Sequence, residues 1–128
     1  DKITYKIREP ERYEVIVFPY RDGSSRYYVK RIIGLPGETI QIIDGYVYID
    51  GEKIDEPYLT ETIKEAGSAV VPITLGEDEY FVMGDNRNNS LDSRSTEIGI
   101  VSREEIKGKI LLIMWPFDRI SFVQHGHK

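Results

Sequence analysis

Apolar and polar positions alternate along most of this chain instead of recurring at helical spacing. "YEVIVF" (13–18) and "RYYVKRII" (26–33) carry the strand pattern and flank the turn-rich "RDGSS", which predicts a hairpin with a longer loop. "ETIQII" (38–43) and "YVYI" (46–49) are joined by Asp44-Gly45, a pair suited to the positive backbone angles of a type I′ turn. Asp50-Gly51 ends the second of these strands, so the middle of the chain reads as a β-meander. Between Gly51 and Gly76 the sequence turns polar, with "EPYL", "TETIKEAGS" and "VVPITLGEDE", an excursion from the core with at most one helical turn. "EYFVM" (79–83) and "KILLIMW" (109–115) return as strands, and "DKITYKI" at the start is β-like. Between those two returning strands, Ser102 and Glu105 form an S-x-x-E capping box that opens a short helix, and Gly108 closes it. The expectation is one mostly-β domain over residues 1–128, with a small insertion at about 52–77.

Composition narrows the classes. At 128 residues, 40% hydrophobic and 30% charged, the chain is an ordinary globular domain long enough for a real core. Nine tyrosines against four Phe and one Trp suit strands. A formal net charge of −5, with no basic stripe, speaks against a nucleic-acid partner. The absence of cysteine excludes a disulfide framework, a Cys-based zinc site and a Cys nucleophile. No apolar run reaches bilayer length and no signal peptide is present. The chain begins at Asp1 inside a β-like pattern with no initiator Met, which reads as a fragment or a processed form.

Two stretches carry candidate chemistry. The first, "GDNRNNSLDSR" (84–94), surrounds the single apolar Leu91 with Asp, Asn, Ser and Arg. A calcium loop counted from Asp85 would need an oxygen ligand at Arg87, a glycine at Ser90 and a glutamate at Thr96, so that reading fails. A polar surface turn and a buried hydrogen-bond network remain open. The second is "YYVKRIIGLPGE" (27–38), in which strand alternation places Lys30 with Tyr28 and Ile32, and Arg31 with Val29 and Ile33. A free lysine, with a pKa of about 10.4, is no base near neutrality. Apolar surroundings lower that value, and a lysine so depressed can take a proton from a serine hydroxyl without a histidine between them. The plain alternative is a lysine snorkelling from a sheet edge. His125 and His127 stand in the terminal "QHGHK", a poor place for a catalytic base.

Taken together, "KRIIGLPGE" at 30–38 and "GDNRNNSLDSR" at 84–94 closely resemble two signature segments of type I signal peptidases, membrane-bound serine proteases that release exported proteins. "YEVIVF" resembles a third, with Glu14 where that family commonly has Asp, and the resemblance covers nearly the whole chain. It implies a catalytic core of coiled antiparallel sheets with a small extension. By position it makes Lys30 the general base and Ser90 the second serine, which orients the lysine. Asp85, Asp92 and Arg94 become a buried polar network beside the site, and Arg31 a structural residue. The implied substrates are signal peptides of exported preproteins, bound extended beside a sheet edge, with small residues at the first and third positions before the cut. No metal or organic cofactor is implied. The implied location is the plasma membrane, with the catalytic domain on the extracytoplasmic side and an N-terminal anchor in the lipid.

One departure matters. The resemblance places the nucleophile in an S-M-x-P-like segment upstream of "YEVIVF", together with the oxyanion-hole donors, yet no serine precedes Ser24 here. The expectation is therefore a catalytic domain without its nucleophile, inactive by itself. Its Lys30 would be partly exposed, because the upstream segment supplies one wall of the lysine pocket. Two other classes stay open: a non-catalytic relative that assists surface-polymer assembly, and a self-cleaving repressor with the same Ser-Lys chemistry. Keeping the lysine argues against the first, and the second requires a DNA-binding domain upstream.

Overall fold

The computed structural model describes residues 3–4, 9–19, 24–108 and 112–114, with side chains at 9–17 and 24–106. Of the sequence expectations, residues 21–23 of the "RDGSS" loop and both histidines lie outside the described residues, as does most of "DKITYKI".

Strand β3 (Tyr27–Gly34) organises the larger sheet. On one side it pairs antiparallel with β2 (Val15–Pro19), setting Ile16 opposite Lys30 and Val15 opposite Arg31. On its other side runs β8 (Glu79–Met83), with Arg31 opposite Met83 and Ile32 opposite Val82, then a register shift before Gly34. The remaining strands of this sheet are β1 (Ile3–Thr4) and β10 (Leu112–Met114) beyond β2, and β9 (Val101–Ser102) beyond β8. Lys30 therefore lies on an interior strand, and the sheet-edge reading is wrong: both ladders of β3 are occupied.

Alternation along β3 feeds two cores. Tyr28 and Ile32 join Ile16, Tyr80 and Val82 on one face, under α1 (Arg103–Gly108) through Ile106. Ile33 joins Ile40, Val47, Phe81 and Met83 on the other. A strand buried on both faces loses its polar side. That explains why β3 is buried from Tyr28 to Gly34 although it contains Lys30 and Arg31.

The second sheet covers the latter core. Its strands β4 (Thr39–Ile43), β5 (Tyr46–Ile49), β6 (Glu52–Lys53) and β7 (Ile73–Thr74) lie in the order β6-β5-β4-β7. Asp44 and Gly45 have φ of 51° and 87°, the type I′ signature expected of the pair. Asp50 and Gly51 repeat it at 51° and 87°, so this second Asp-Gly opens another hairpin, into β6, beyond ending β5. Residues 52–77 contain one 3-10 turn (Gly67–Val70), and Ile63, Ala69 and Leu75 from the same stretch are buried in the second core. At α1 the capping box forms: Glu105 N donates to Ser102 Oγ at 3.0 Å, and Ser102 N donates to Glu105 Oε1 at 3.1 Å. The whole is mostly β, with curled antiparallel sheets and one short α-helix among the described residues.

Candidate active site

The polar loop 84–94 leaves β8 at Gly84 and folds back over β3, which brings Ser90 to Lys30. Lys30 Nζ donates to Ser90 Oγ at 3.0 Å and stands 5.5 Å from the centre of the Tyr28 ring. Lys30 is only 5% exposed. The expectation of a partly exposed lysine is thus corrected: Tyr28, Ser90 and the backbone at Gly84 enclose the ammonium group without an upstream segment. Burial pushes the Lys30 pKa below its ordinary value; the negative charge of Asp92 opposes this, and the positive charge of Arg94 adds to it.

Gly84 sits directly beneath the pair. A Cβ there would meet Ser90 Oγ at 2.1 Å and Lys30 Nζ at 3.4 Å, so only a residue without a side chain lets Ser90 close on the lysine. The Gly84 peptide is held from two sides. Its N–H donates to Asp92 Oδ2 at 3.1 Å, and its carbonyl accepts from Arg87 Nε at 2.8 Å.

Two ion pairs join the residues expected around the site. Arg94 Nε donates to Asp92 Oδ1 at 2.9 Å and Nη2 to Oδ2 at 2.9 Å, with both side chains buried. Arg94 also donates to the carbonyls of Glu65 and Arg87, pinning the loop against residues 52–77. Arg31 grips Asp85 with two bonds of 3.0 and 2.8 Å and donates to the Tyr13 carbonyl at 2.9 Å. The loop is dense because Arg87, Asp92, Ser93 and Arg94 lie inside, where each polar group needs a partner.

Sequence reasoning missed a third pair. Arg87, with a side chain 1% exposed, donates to Glu56 Oε1 at 3.1 Å and Oε2 at 2.6 Å. Burial penalises the Arg87 charge, but the hydrogen-bonded ion pair with Glu56 outweighs it and holds the pKa above its ordinary value. Tyr58 donates to Glu56 Oε2 at 2.8 Å and carries the Arg31 guanidinium over its ring at 4.3 Å. Burial first, then the Glu56 charge, push the Tyr58 phenol well above its ordinary pKa, so it remains a neutral donor. Nothing local in the sequence joins Arg87 to Glu56, 31 residues away. Ser93, also uncounted, accepts from Val82 N at 2.9 Å and continues β8 into the loop's return.

A groove of about 620 Å³ opens on the far side of Ser90, floored by Asp92 and Arg94 and walled by Lys64, Asn88 and Ser95. No group of three or more His, Asp or Glu side chains among the described residues could hold a metal ion. Chemically, the site offers a buried amine biased toward neutrality and a fixed hydroxyl 3.0 Å from it.

The fold described above, two curled antiparallel sheets with one short α-helix among the described residues, is a class that comparison with known proteins narrows to one family. Residues 1–115 match the family described as signal peptidase, peptidase S26, and the chain belongs to it. It is 39% identical over 129 residues to "Probable signal peptidase I-2" of Synechocystis, covering 96% of this chain and 56% of that protein. It is also 39% identical over 123 residues to "Signal peptidase I" of Bacillus licheniformis, covering 89% of this chain and 64% of that one. The chain thus spans somewhat more than half the length of these relatives. A crystal structure of a signal peptidase I from Enterococcus faecalis superposes with a TM-score of 0.64 at 30% identity, covering 86% of this chain and all of that one.

Proposed function

We propose that this chain is the catalytic core of a membrane-associated serine endopeptidase that removes signal peptides from exported preproteins by a Ser-Lys dyad. Lys30 is the general base, and Ser90 orients it. The nucleophilic serine and the oxyanion-hole donors come from a segment upstream of Asp1, and residues 1–128 are inactive without it. The observation that carries the reading is the buried Lys30 amine, biased toward neutrality and held by Ser90 at 3.0 Å.

The chemistry follows from that amine. Neutral Lys30 takes the proton of the serine hydroxyl as its oxygen attacks the scissile carbonyl, and the resulting ammonium returns the proton to the departing amine. Neutral again, Lys30 can deprotonate the water that releases the acyl group. Ser90 limits the rotation of the four-carbon side chain, so the amine meets the nucleophile in one geometry. No metal or organic cofactor takes part. Asp85, Asp92, Arg94 and Arg31 hold the scaffold around the pair. The substrate chain lies extended, with small residues at the first and third positions before the cut. Residues 52–77 form a small insertion within one domain. The catalytic face lies on the extracytoplasmic side of the plasma membrane, held there by an upstream anchor; no helix among the described residues is long and apolar enough to cross a membrane. A non-catalytic accessory role is disfavoured by the retained lysine and its enclosure.

The test is cleavage of a preprotein by a longer protein that includes the residues encoded before Asp1. That protein should cut, residues 1–128 should not, and Lys30→Ala should remove nearly all activity. A Lys30→Ala enzyme of normal rate would end the Ser-Lys reading.

A further inference from the structure

We propose that Glu56 is a positioning residue for the Lys30–Ser90 pair, acting through Arg87 and the Gly84 carbonyl. The proposal rests on the reading of Lys30 as the base. Glu56 is 31 residues from Arg87 along the chain and holds it with two bonds, so Arg87 cannot turn away from Gly84. Gly84 in turn is the surface against which Ser90 closes on Lys30. Without Glu56, the Arg87 guanidinium is a buried cation lacking its counter-charge, and it moves toward water. The Gly84 carbonyl then loses its donor, leaving only the Asp92 bond to the Gly84 N–H.

The geometry makes this a closed ring. From Gly84 it runs through Arg87 to Glu56, on to Tyr58, across the Tyr58 ring to Arg31, and back to Asp85, the residue beside Gly84. Arg31 is the immediate neighbour of Lys30. The ring thus passes next to the pair twice, at Arg31 on β3 and at Gly84 in the loop. A ring of partners anchored on the buried Arg31 and Arg87 has few alternative arrangements, which suits a group that must be held to within a fraction of an ångström.

The test uses two variants of residues 1–128 and the same variants in the longer protein. Glu56→Gln keeps the shape and removes the charge. Glu56→Gln combined with Arg87→Met also removes the orphaned cation, so it should recover the folding stability that the single variant loses. In both, NMR titration of the Lys30 side chain should move upward from its wild-type position, because a loosened loop admits water to the ammonium. In the longer protein both should lower kcat about 10- to 100-fold with little change in KM. A merely structural ion pair predicts otherwise: the double variant would regain stability and show a wild-type Lys30 titration and a wild-type kcat. That result overturns the proposal. Lys30→Ala in the longer protein separates the two readings: if it still cleaves, the base assignment falls; if it is dead while both Glu56 variants behave as wild type, only the role of Glu56 falls.

Discussion

Replacing Gly84 with alanine isolates the packing under the Lys30–Ser90 pair. The new methyl would lie 2.1 Å from Ser90 Oγ and 2.8 Å from Ser90 Cβ, both inside any tolerable contact, but 3.4 Å from Lys30 Nζ, which is acceptable. Gly84 has no positive φ, so alanine suits its backbone and the effect is steric. Ser90 must yield by about 1 Å, and a hydroxyl bonded at 3.0 Å cannot do so and remain in hydrogen-bond range of the lysine. Overpacking of this kind costs roughly 1–3 kcal/mol of stability. Losing a partner that orients a functional group lowers rate by about 10- to 100-fold, equivalent to roughly 1.4–2.7 kcal/mol of transition-state stabilisation. The assay is cleavage by the longer protein, with kcat and KM determined separately, alongside thermal unfolding of residues 1–128. Adding Ser90→Gly to Gly84→Ala removes the clash, so stability should return while the rate stays no better than that of Ser90→Gly alone. Gly84→Ala with an undiminished kcat would refute the claim that contact between Ser90 and Lys30 matters to the reaction.

The other predictions are narrower. Ser90→Ala in the longer protein should lower kcat about 10- to 100-fold with KM nearly unchanged; an unaltered rate would leave Ser90 an ordinary loop hydroxyl. Asp92→Ala and Arg94→Ala should each destabilise residues 1–128 by roughly 3–5 kcal/mol in thermal unfolding, since each orphans a buried partner; near-wild-type midpoints would contradict the burial. Stability should also depend on pH through Lys30. Its folded pKa is depressed below the unfolded value of about 10.4. Between the two values the unfolded chain therefore holds more protons, and stability rises with pH across that window. Lys30→Met should abolish that rise in denaturant titrations at a series of pH values.

The strands were legible wherever the signal was local. Alternation located β2, β3, β4, β5 and β8, Asp44-Gly45 fixed one hairpin, and Ser102 with Glu105 fixed the helix start. The long-range partners were another matter. Glu56 stands in a polar excursion and Arg87 in the dense polar loop, and nothing local says that the two runs meet. The role of Asp50-Gly51 was half visible, because a turn pair marks the end of a strand without saying whether another follows. Lys30 itself was found, but its enclosure was misjudged: alternation gave the face it occupies, while the closure of the loop at Gly84 and Ser90 is a property of the folded chain. The roles assigned to Lys30 and Ser90 came from resemblance; the structure adds their contact and the burial of Lys30.

The central claim is that residues 1–128 hold Lys30 as an amine biased toward neutrality, and side-chain NMR titration of Lys30 in this chain measures it directly. The account predicts a titration midpoint clearly below the ordinary lysine value of about 10.4, displaced again when Ser90 or Gly84 is changed. A Lys30 that titrates near that ordinary value would contradict it.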